Sequence, residues 1–408
     1  MKLYWTAFWV KILFVPIFAQ WQNISIETQN ELRNVHFLNA ETGWIVGNGS
    51  TVLKTTDGGN NWLAQTPPVN DDYLSLFFID EKLGWIGGNN GSILKTTDGG
   101  KNWTVQNISN SNSIIAMYFV DKSTGFLLVN KWNNERYFWV YKTTNGGLSW
   151  EIKVEKKNQC AINLCFYDQL NGWIVGTSGL YLRTFDSGEN WEFKYAGSSY
   201  WLFDVYFTDE LTGWISGGNN SQDIILKTVD GGVSWSKIRN SKDNGTLAGL
   251  TFADPNNGWA CGINGVILRT ENGGKTWIKE NTSVYNTIND IFFCENILYA
   301  VGENGIILKS KFSPGEKSIS LLKPSINDKW EVASMQNILW KSNYVVDVTI
   351  QYSFNNGASW NTVVESYPST GIYSWKVPNI ISTQAKIRII DKSNSKIFSE
   401  SDLFKIIN

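Results

Sequence analysis

The chain has 408 residues, with 35 basic against 37 acidic side chains and a formal net charge of −2, a balance that argues against a nucleic-acid-binding surface or an acidic tail. Aromatic residues make up 14%, with 21 Trp and 36 Gly against 3 Met. No stretch carries a long helical apolar period, so the pattern excludes a helical fold and points to an all-β one.

The first 19 residues read as a secretory signal peptide. Lys2 precedes a run from Leu3 to Ala19 that is apolar except for Thr6 and Lys11, and Ala19 is a small residue suited to cleavage. The run is short for a membrane span. The expectation is a secreted, periplasmic or cell-surface protein with no span after signal cleavage; an uncleaved anchor is the alternative.

From Trp21 the chain repeats. Trp21, Trp62, Trp103, Trp150, Trp191, Trp235 and Trp277 recur 41 to 47 residues apart. Between them stand Trp44, Trp85, Phe126, Trp173, Trp214, Trp259 and Tyr299, in Gly-Trp-Ile-Val-Gly or its relics. A period of about 40 residues marks stacked units, and short strands between turns make them propeller blades. In the second unit, Leu76-Phe77-Phe78-Ile79, Trp85-Ile86-Gly87-Gly88, Ser92 to Thr96 and Trp103-Thr104-Val105 are four strands separated by Gly- and Asn-bearing turns. The seventh unit has only three strands, while Trp21 to Ile24 forms an outer strand with no inner strands ahead of it. A seven-bladed β-propeller over residues 20–312, closed by its N-terminal strand, is therefore expected, and closure leaves no free sheet edge.

The turn before each repeating Trp follows Ser/Thr-x-Asp-x-Gly-x-x-Trp. The aspartates are Asp57, Asp98, Asp186 and Asp230, replaced by Asn145 and Asn272 in two blades. A short carboxylate or amide accepts backbone N–H bonds inside its own turn, so these residues are read as structural.

Two surfaces offer candidate binding residues. Blade 3 lengthens its second turn through Lys131 to Tyr137, and the connection into blade 5, Ser198 to Trp201, reaches the same rim. Aromatic groups beside amides and charges suit protein or sugar recognition, which singles out Trp132, Arg136, Tyr137, Tyr200 and Trp201. The other surface is the mouth of the central channel, where Asn34, Ser75, Ala116, Asn163, Asp204, Gly249 and Asp290 occupy one equivalent position. Of these, Asn34, Asn163, Asp204 and Asp290 are the candidates, expected to line a solvated channel.

No catalytic residue, cofactor or metal site is expected: His36 is the only histidine and no Cys-x-x-Cys pair occurs. Cys160, Cys165, Cys261 and Cys294 admit three pairings, with buried free thiols the favoured reading.

The pattern changes at a linker, 313–318. Residues 319–408 alternate in short runs such as Val346 to Tyr352 and Lys386 to Ile390, which fits a small β-sandwich.

Gly-Trp-Ile-Val-Gly, Ile-Leu-Lys-Thr-Thr-Asp-Gly-Gly and the Asp-box turn (the neuraminidase repeat), repeated over seven units, resemble the photosystem II stability and assembly factor family across residues 21–312. Members of that family hold a newly made reaction-centre protein without catalysis, so the resemblance implies a non-catalytic scaffold with a protein partner. Its arginine-rich patch is not reproduced here. Arg183 and Arg269 stand where other blades have Lys54, Lys95, Lys142 and Lys227, leaving Arg33, Arg136 and Arg239 as the other propeller arginines. The segments Ile338-Leu339-Trp340, Tyr352 to Trp360, Tyr373 to Pro378 and Ser401 to Phe404 resemble immunoglobulin-like modules of secreted bacterial proteins. The alternative is a carbohydrate-binding module or a glycoside hydrolase of the sialidase or xyloglucanase type; the sialidase Phe-Arg-Ile-Pro-like signature is absent, and only one propeller is present.

Overall fold

The computed structural model describes residues 21–108, 112–132, 135–197, 199–219, 221–313, 317–343, 345 and 347–408. The expected signal peptide, 1–19, lies outside the described residues, as does 314–316 of the linker. The chain divides into two compact units after Phe312.

The first unit is seven four-stranded antiparallel sheets. Blade 2 runs Tyr73–Phe78, Gly84–Gly88, Ser92–Thr96 and Thr104–Asn107 from the inner strand outward. Blade 7 contains Ile288–Cys294, Ile297–Gly302 and Ile307–Lys311, and its fourth strand is Gln22–Asn23, paired as Gln22 with Lys309 and Asn23 with Leu308. The propeller and its N-terminal closure are as the sequence implies.

The two aromatic series seal the blades together. The second-strand ring of each blade packs on the last inner-strand Phe of the next. Trp44 stacks on Phe78 at 3.6 Å, Trp85 on Phe119 at 3.5 Å, and Trp173 on Phe207 at 3.6 Å. Tyr299 closes the circle on Phe37, also at 3.6 Å. The Trp after each Asp-box turn meets the same Phe edge-on, as Trp103 does Phe78. Offset-stacked and edge-to-face pairs are favoured geometries, worth about 0.5–1.5 kcal/mol each beyond burial. In blade 7 the edge-on ring against Phe293 is Phe312, and Trp21 instead donates its indole N–H to buried Glu280 at 2.6 Å.

Each Asp-box turn is wound around its own side chains. In blade 1 the amides of Asn60 and Asn61 donate to Asp57 Oδ1, and Gly59 N–H donates to Thr55 Oγ1. Asn145 and Asn272 accept the equivalent bonds from Ser149 and Thr276. Lysines latch these turns to the preceding blade: Lys54 Nζ donates to Gly99 O, Lys95 to Gly146 O and Lys227 to Gly273 O. The four cysteines are free, with Cys160 and Cys261 buried.

The second unit has a three-stranded sheet, Ser318–Lys323, Met335–Asn343 and Ile372–Lys376, and a six-stranded sheet centred on Ser382–Asp391. Trp330, Trp340, Ile350, Trp375, Ile389 and Phe404 share its core. One turn here was not read from the sequence as an Asp-box equivalent. Ser353 to Trp360 repeats the bond pattern, with Gly357 N–H on Ser353 Oγ and Ser359 N–H on Asn355 Oδ1, both at 2.9 Å.

Candidate functional site

Every inner strand of the propeller carries a bulge at the same place, between Leu32 and Asn34 in blade 1 and between Leu202 and Asp204 in blade 5. A bulge sets two consecutive residues toward one face. Both Arg33 and Asn34, or Phe203 and Asp204, therefore line the central cavity, whose volume is about 730 Å³.

The four channel candidates do not serve as a free polar ring. Asn34 donates to Asp290 Oδ2 at 2.6 Å and accepts the backbone N–H of Leu76 in the next blade. Asp290 Oδ2 also accepts Val35 N–H, and its Oδ1 accepts Ile291 N–H. Asn163 donates to Asp204 Oδ1, and Asp204 Oδ2 accepts Leu250 N–H at 2.7 Å. These are stitches between blades. Their use corrects the expectation of an ordinary solvated ring. Three of these short side chains reach a backbone amide of the following blade, Asn34 that of Leu76, Asp204 that of Leu250 and Asp290 that of Val35, whereas Asn163 Oδ1 accepts Leu164 N–H of its own strand; Asp204 is 8% exposed. Burial, followed by the charge of Asp290, pushes the Asp204 carboxyl up to about 8, and burial raises Asp290 as well.

One layer further along, the cavity is belted by His36, Phe77, Tyr118, Tyr206 and Phe292. His36 Nε2 meets Phe78 O at 2.9 Å, and the Tyr118 and Tyr206 hydroxyls donate to Phe166 O and Phe252 O. Burial holds His36 down to about 4, so the ring is neutral.

At the opposite mouth the lining changes character around the circle. Blades 2 to 5 contribute Leu74, Ile115, Ile162 and Phe203, flanked by Trp132 and Trp201. Blades 7 and 1 contribute Asn289 and Arg33, which are tied to Glu31.

The rim candidates gather around this apolar side. Trp132 is 46% and Trp201 38% exposed, and both border the cavity. Tyr137 stacks on Trp139 at 5.5 Å, with Lys131 and Lys157 over its ring. Arg136 is exposed beside it, so these two residues stand on the blade 3 hairpin and not against the cavity. The Tyr200 hydroxyl donates to Gln222 Oε1, and Lys237 lies over its ring at 5.6 Å.

Sequence reasoning found the blade 3 hairpin but missed its counterpart. The second and third strands of blade 3, Gly125–Lys131 and Tyr137–Thr143, have seven residues each, and so do those of blade 5, Gly213–Asn219 and Gln222–Thr228. The same strands have five in blade 4, Gly172–Gly176 and Leu180–Thr184, where a short turn at Thr177–Gly179 joins them. Two extra rungs raise a wall by about 7 Å. Blade 4 thus has a lower rim than the blades on either side of it. The signal was the polar run Asn219 to Gln222, which reads equally well as a simple turn.

The blade 5 wall is braced at its base by Asp223, which is fully buried and accepts Arg239 Nε at 2.8 Å, Arg239 Nη2 at 3.0 Å and Asn244 Nδ2 at 3.0 Å. Among the described residues, no group of three or more His, Cys, Asp or Glu is placed to hold a metal ion, and no helix is long and apolar enough to cross a membrane.

The family model described as Photosynthesis system II assembly factor YCF48 matches residues 15–158 and 148–245, more than half of the chain. Photosystem II stability/assembly factor HCF136, chloroplastic, from Oryza sativa subsp. japonica is 37% identical over 54 residues, 12% of this chain and 13% of that protein. Photosystem II assembly lipoprotein Ycf48 from Trichormus variabilis is 38% identical over 53 residues, 13% of this chain and 16% of that protein. The matched stretch thus spans only a small part of these curated relatives. Among solved structures, YCF48 bound to D1 peptide superposes with a TM-score of 0.60 at 23% identity, covering 72% of this chain and 97% of that one. YCF48 from Cyanidioschyzon merolae gives 0.59 at 20%, over 71% and 98%. The WD40 β-propeller domain of Doa1 gives 0.56 at 10%, over 72% and 98%, so these likenesses speak to the fold.

Proposed function

The chain belongs to the photosynthesis system II assembly factor YCF48 family, and from that premise we propose that it is a non-catalytic scaffold, exported to the cell envelope or beyond, that holds a protein partner on the rim formed by blades 3 to 5. The observation that carries this reading is the pair of raised hairpins flanking blade 4, with exposed Trp132 at the end of one and exposed Trp201, on the adjoining inner strand opposite Gly218, beside the other. Large aromatic side chains around a concave site are where protein interfaces concentrate their binding energy. A solved relative is a complex with a D1 peptide, which favours a protein segment as the ligand class. Trp132, Arg136, Tyr137, Tyr200 and Trp201 are the proposed contacts.

Catalysis has little to work with. Asp204 and Asp290 are the carboxylates in the channel, and both oxygens of each already accept N–H bonds that join or shape the blades. A glycosidase needs one carboxyl free to protonate the leaving group and another free to attack or activate water. Sugar binding likewise needs free polar groups, and the apolar side of the mouth offers none. Export rests on the signal-like residues 1–19, with propeller 20–312, linker 313–318 and an immunoglobulin-like module 319–408 serving as spacer or attachment.

The test is a binding screen of the chain from Gln20 onward against envelope proteins and arrayed glycans, with Trp132→Ala and Trp201→Ala beside the wild type. The expected result is saturable capture of a protein, weakened in both variants. Saturable glycan binding lost in the same variants would replace the scaffold with a carbohydrate-binding module.

A further inference from the structure

The low rim of blade 4 stands between the raised hairpins of blades 3 and 5, and the same three blades supply Ile115, Ile162 and Phe203 to the apolar half of the channel mouth. We infer that this rim and the mouth form one binding site for an extended protein segment that inserts a single large apolar side chain into the mouth and carries carboxylates beside it. This names the partner class for the scaffold reading above and rests on that reading.

Shape supports the insertion. Leu74, Ile115, Ile162 and Phe203 line the mouth on one side, and Trp132 and Trp201 stand at its edge as two jaws. A cavity of about 730 Å³ falls within the range that ligand pockets occupy and exceeds the volume of one aromatic side chain. Filling such an opening with an apolar group removes both its own surface and the exposed faces of the two tryptophans from water, which is favourable in proportion to the area buried.

Polarity narrows the occupant. Below this apolar layer, Asn34, Asn163, Asp204 and Asp290 spend their polar atoms on bonds to one another and to backbone amides of their own and the following blades. A hydroxyl-rich or charged group pushed into the mouth would lose its water and find few partners, and an unpaired buried polar group is costly.

Charge sets the flanks. Lys131, Arg136, Lys156 and Lys194 lie at the rim ends of blades 3 and 4 with no ion pair among the described residues, against exposed Glu155 and against Glu135, which is held by Lys157. The rim of blades 3 and 4 therefore carries a surplus of positive charge. A segment crossing this rim gains from Asp or Glu beside its apolar residue, an arrangement that speeds encounter and fixes direction.

A library of random short peptides displayed on phage is selected on the purified protein, and the binders are resynthesised and scanned with alanine. The expected binders share one large apolar residue next to Asp or Glu, and replacing that residue weakens binding about tenfold or more, as loss of a hot-spot side chain does. Ile162→Asp and Ile115→Asp in the protein weaken the same peptides to a similar extent, with unchanged melting as proof of fold. If either variant fails to fold, the alanine scan of the peptides stands as the independent measurement. Absence of binders, binders without a single apolar anchor, or wild-type binding by well-folded Ile162→Asp would overturn the inference. Envelope-protein capture that is lost in Trp132→Ala and Trp201→Ala but kept in Ile162→Asp would reject the inserted side chain and leave the scaffold reading intact. Capture undiminished in all of these would reject both.

Discussion

Tyr299 of the last blade lies stacked on Phe37 of the first, 3.6 Å apart and 11° from parallel, and its hydroxyl donates to Gly58 O at 3.0 Å. One side chain thus makes both the ring contact and the turn contact that join the ends of the propeller. Tyr299→Phe keeps the stack and removes the bond, which costs about 1 kcal/mol. Tyr299→Ala removes both and opens a cavity at the seam, costing about 3–5 kcal/mol. Urea melts of the two variants, measured by near-ultraviolet dichroism, check the difference; equal losses would mean that the stack contributes nothing at the seam.

Acid should weaken the propeller through its turns. Asp57 is held from the ordinary 3.8 down to about 2, chiefly by bonds from the side chain and backbone of Asn61, and Asp186 likewise by Asn190. A carboxylate whose folded value lies below its unfolded value contributes stability above the unfolded value, and loses it as pH falls toward the folded one. His36, neutral and held near 4, acts in the same direction between about pH 6.5 and 4. Melting temperature should therefore fall as pH drops from neutrality toward 2. Asp57→Asn, which imitates Asn145, should flatten the lowest part of that fall and leave neutral stability nearly unchanged.

Asp204 should act with the opposite sign. Its folded value is raised to about 8 by burial and by Asp290, so the folded state binds the extra proton between the unfolded value and 8. Stability from this group is complete below the unfolded value and declines as pH rises through about 8. Melting at pH 5 and at pH 9 measures it, and the interval should shrink in Asp204→Asn. A wild-type interval unchanged by the substitution would show that the three N–H donors, Asn163 Nδ2 and the amides of Val205 and Leu250, keep the carboxylate ionised throughout.

The repeat was legible because stacking is periodic: an aromatic ring in the place of Trp44 and a Phe in the place of Phe78 recur in each unit, since each interface between blades needs such a pair. Closure by Gln22–Asn23 followed from counting strands. The edge contact of Phe312 was not legible, because the seventh blade has no Asp-box turn to bring a tryptophan to that place. Alignment put Asn34, Asp204 and Asp290 in one layer, but a linear sequence does not show a bulge or the amide it faces. The Ser353 to Trp360 turn was spelled out in full, yet it falls outside the propeller's period. The blade 5 wall escaped for a related reason, since two added rungs in each strand leave the turn residues looking ordinary.

That wall provides a test that separates stability from binding. Asp223 is fully buried and receives four donors, from Arg239, Asn244 and the backbone of Ser241, at the foot of the hairpin that bears Gln222. Asp71, 6% exposed, accepts Asn90 N–H and the Ser92 hydroxyl at the same rim of blade 2, which carries no raised hairpin. Breaking a buried charge network leaves unpaired polar groups behind, so Asp223→Ala costs about 3–5 kcal/mol and Asp71→Ala about 1–3 kcal/mol. Only the first loosens the wall against which Tyr200 is fixed by Gln222. At a temperature where both variants remain folded, partner capture should fall in Asp223→Ala and persist in Asp71→Ala. Equal capture by the two would mean that the height of the blade 5 wall is irrelevant to binding, because the network beneath it differs between them while the rest of the rim does not.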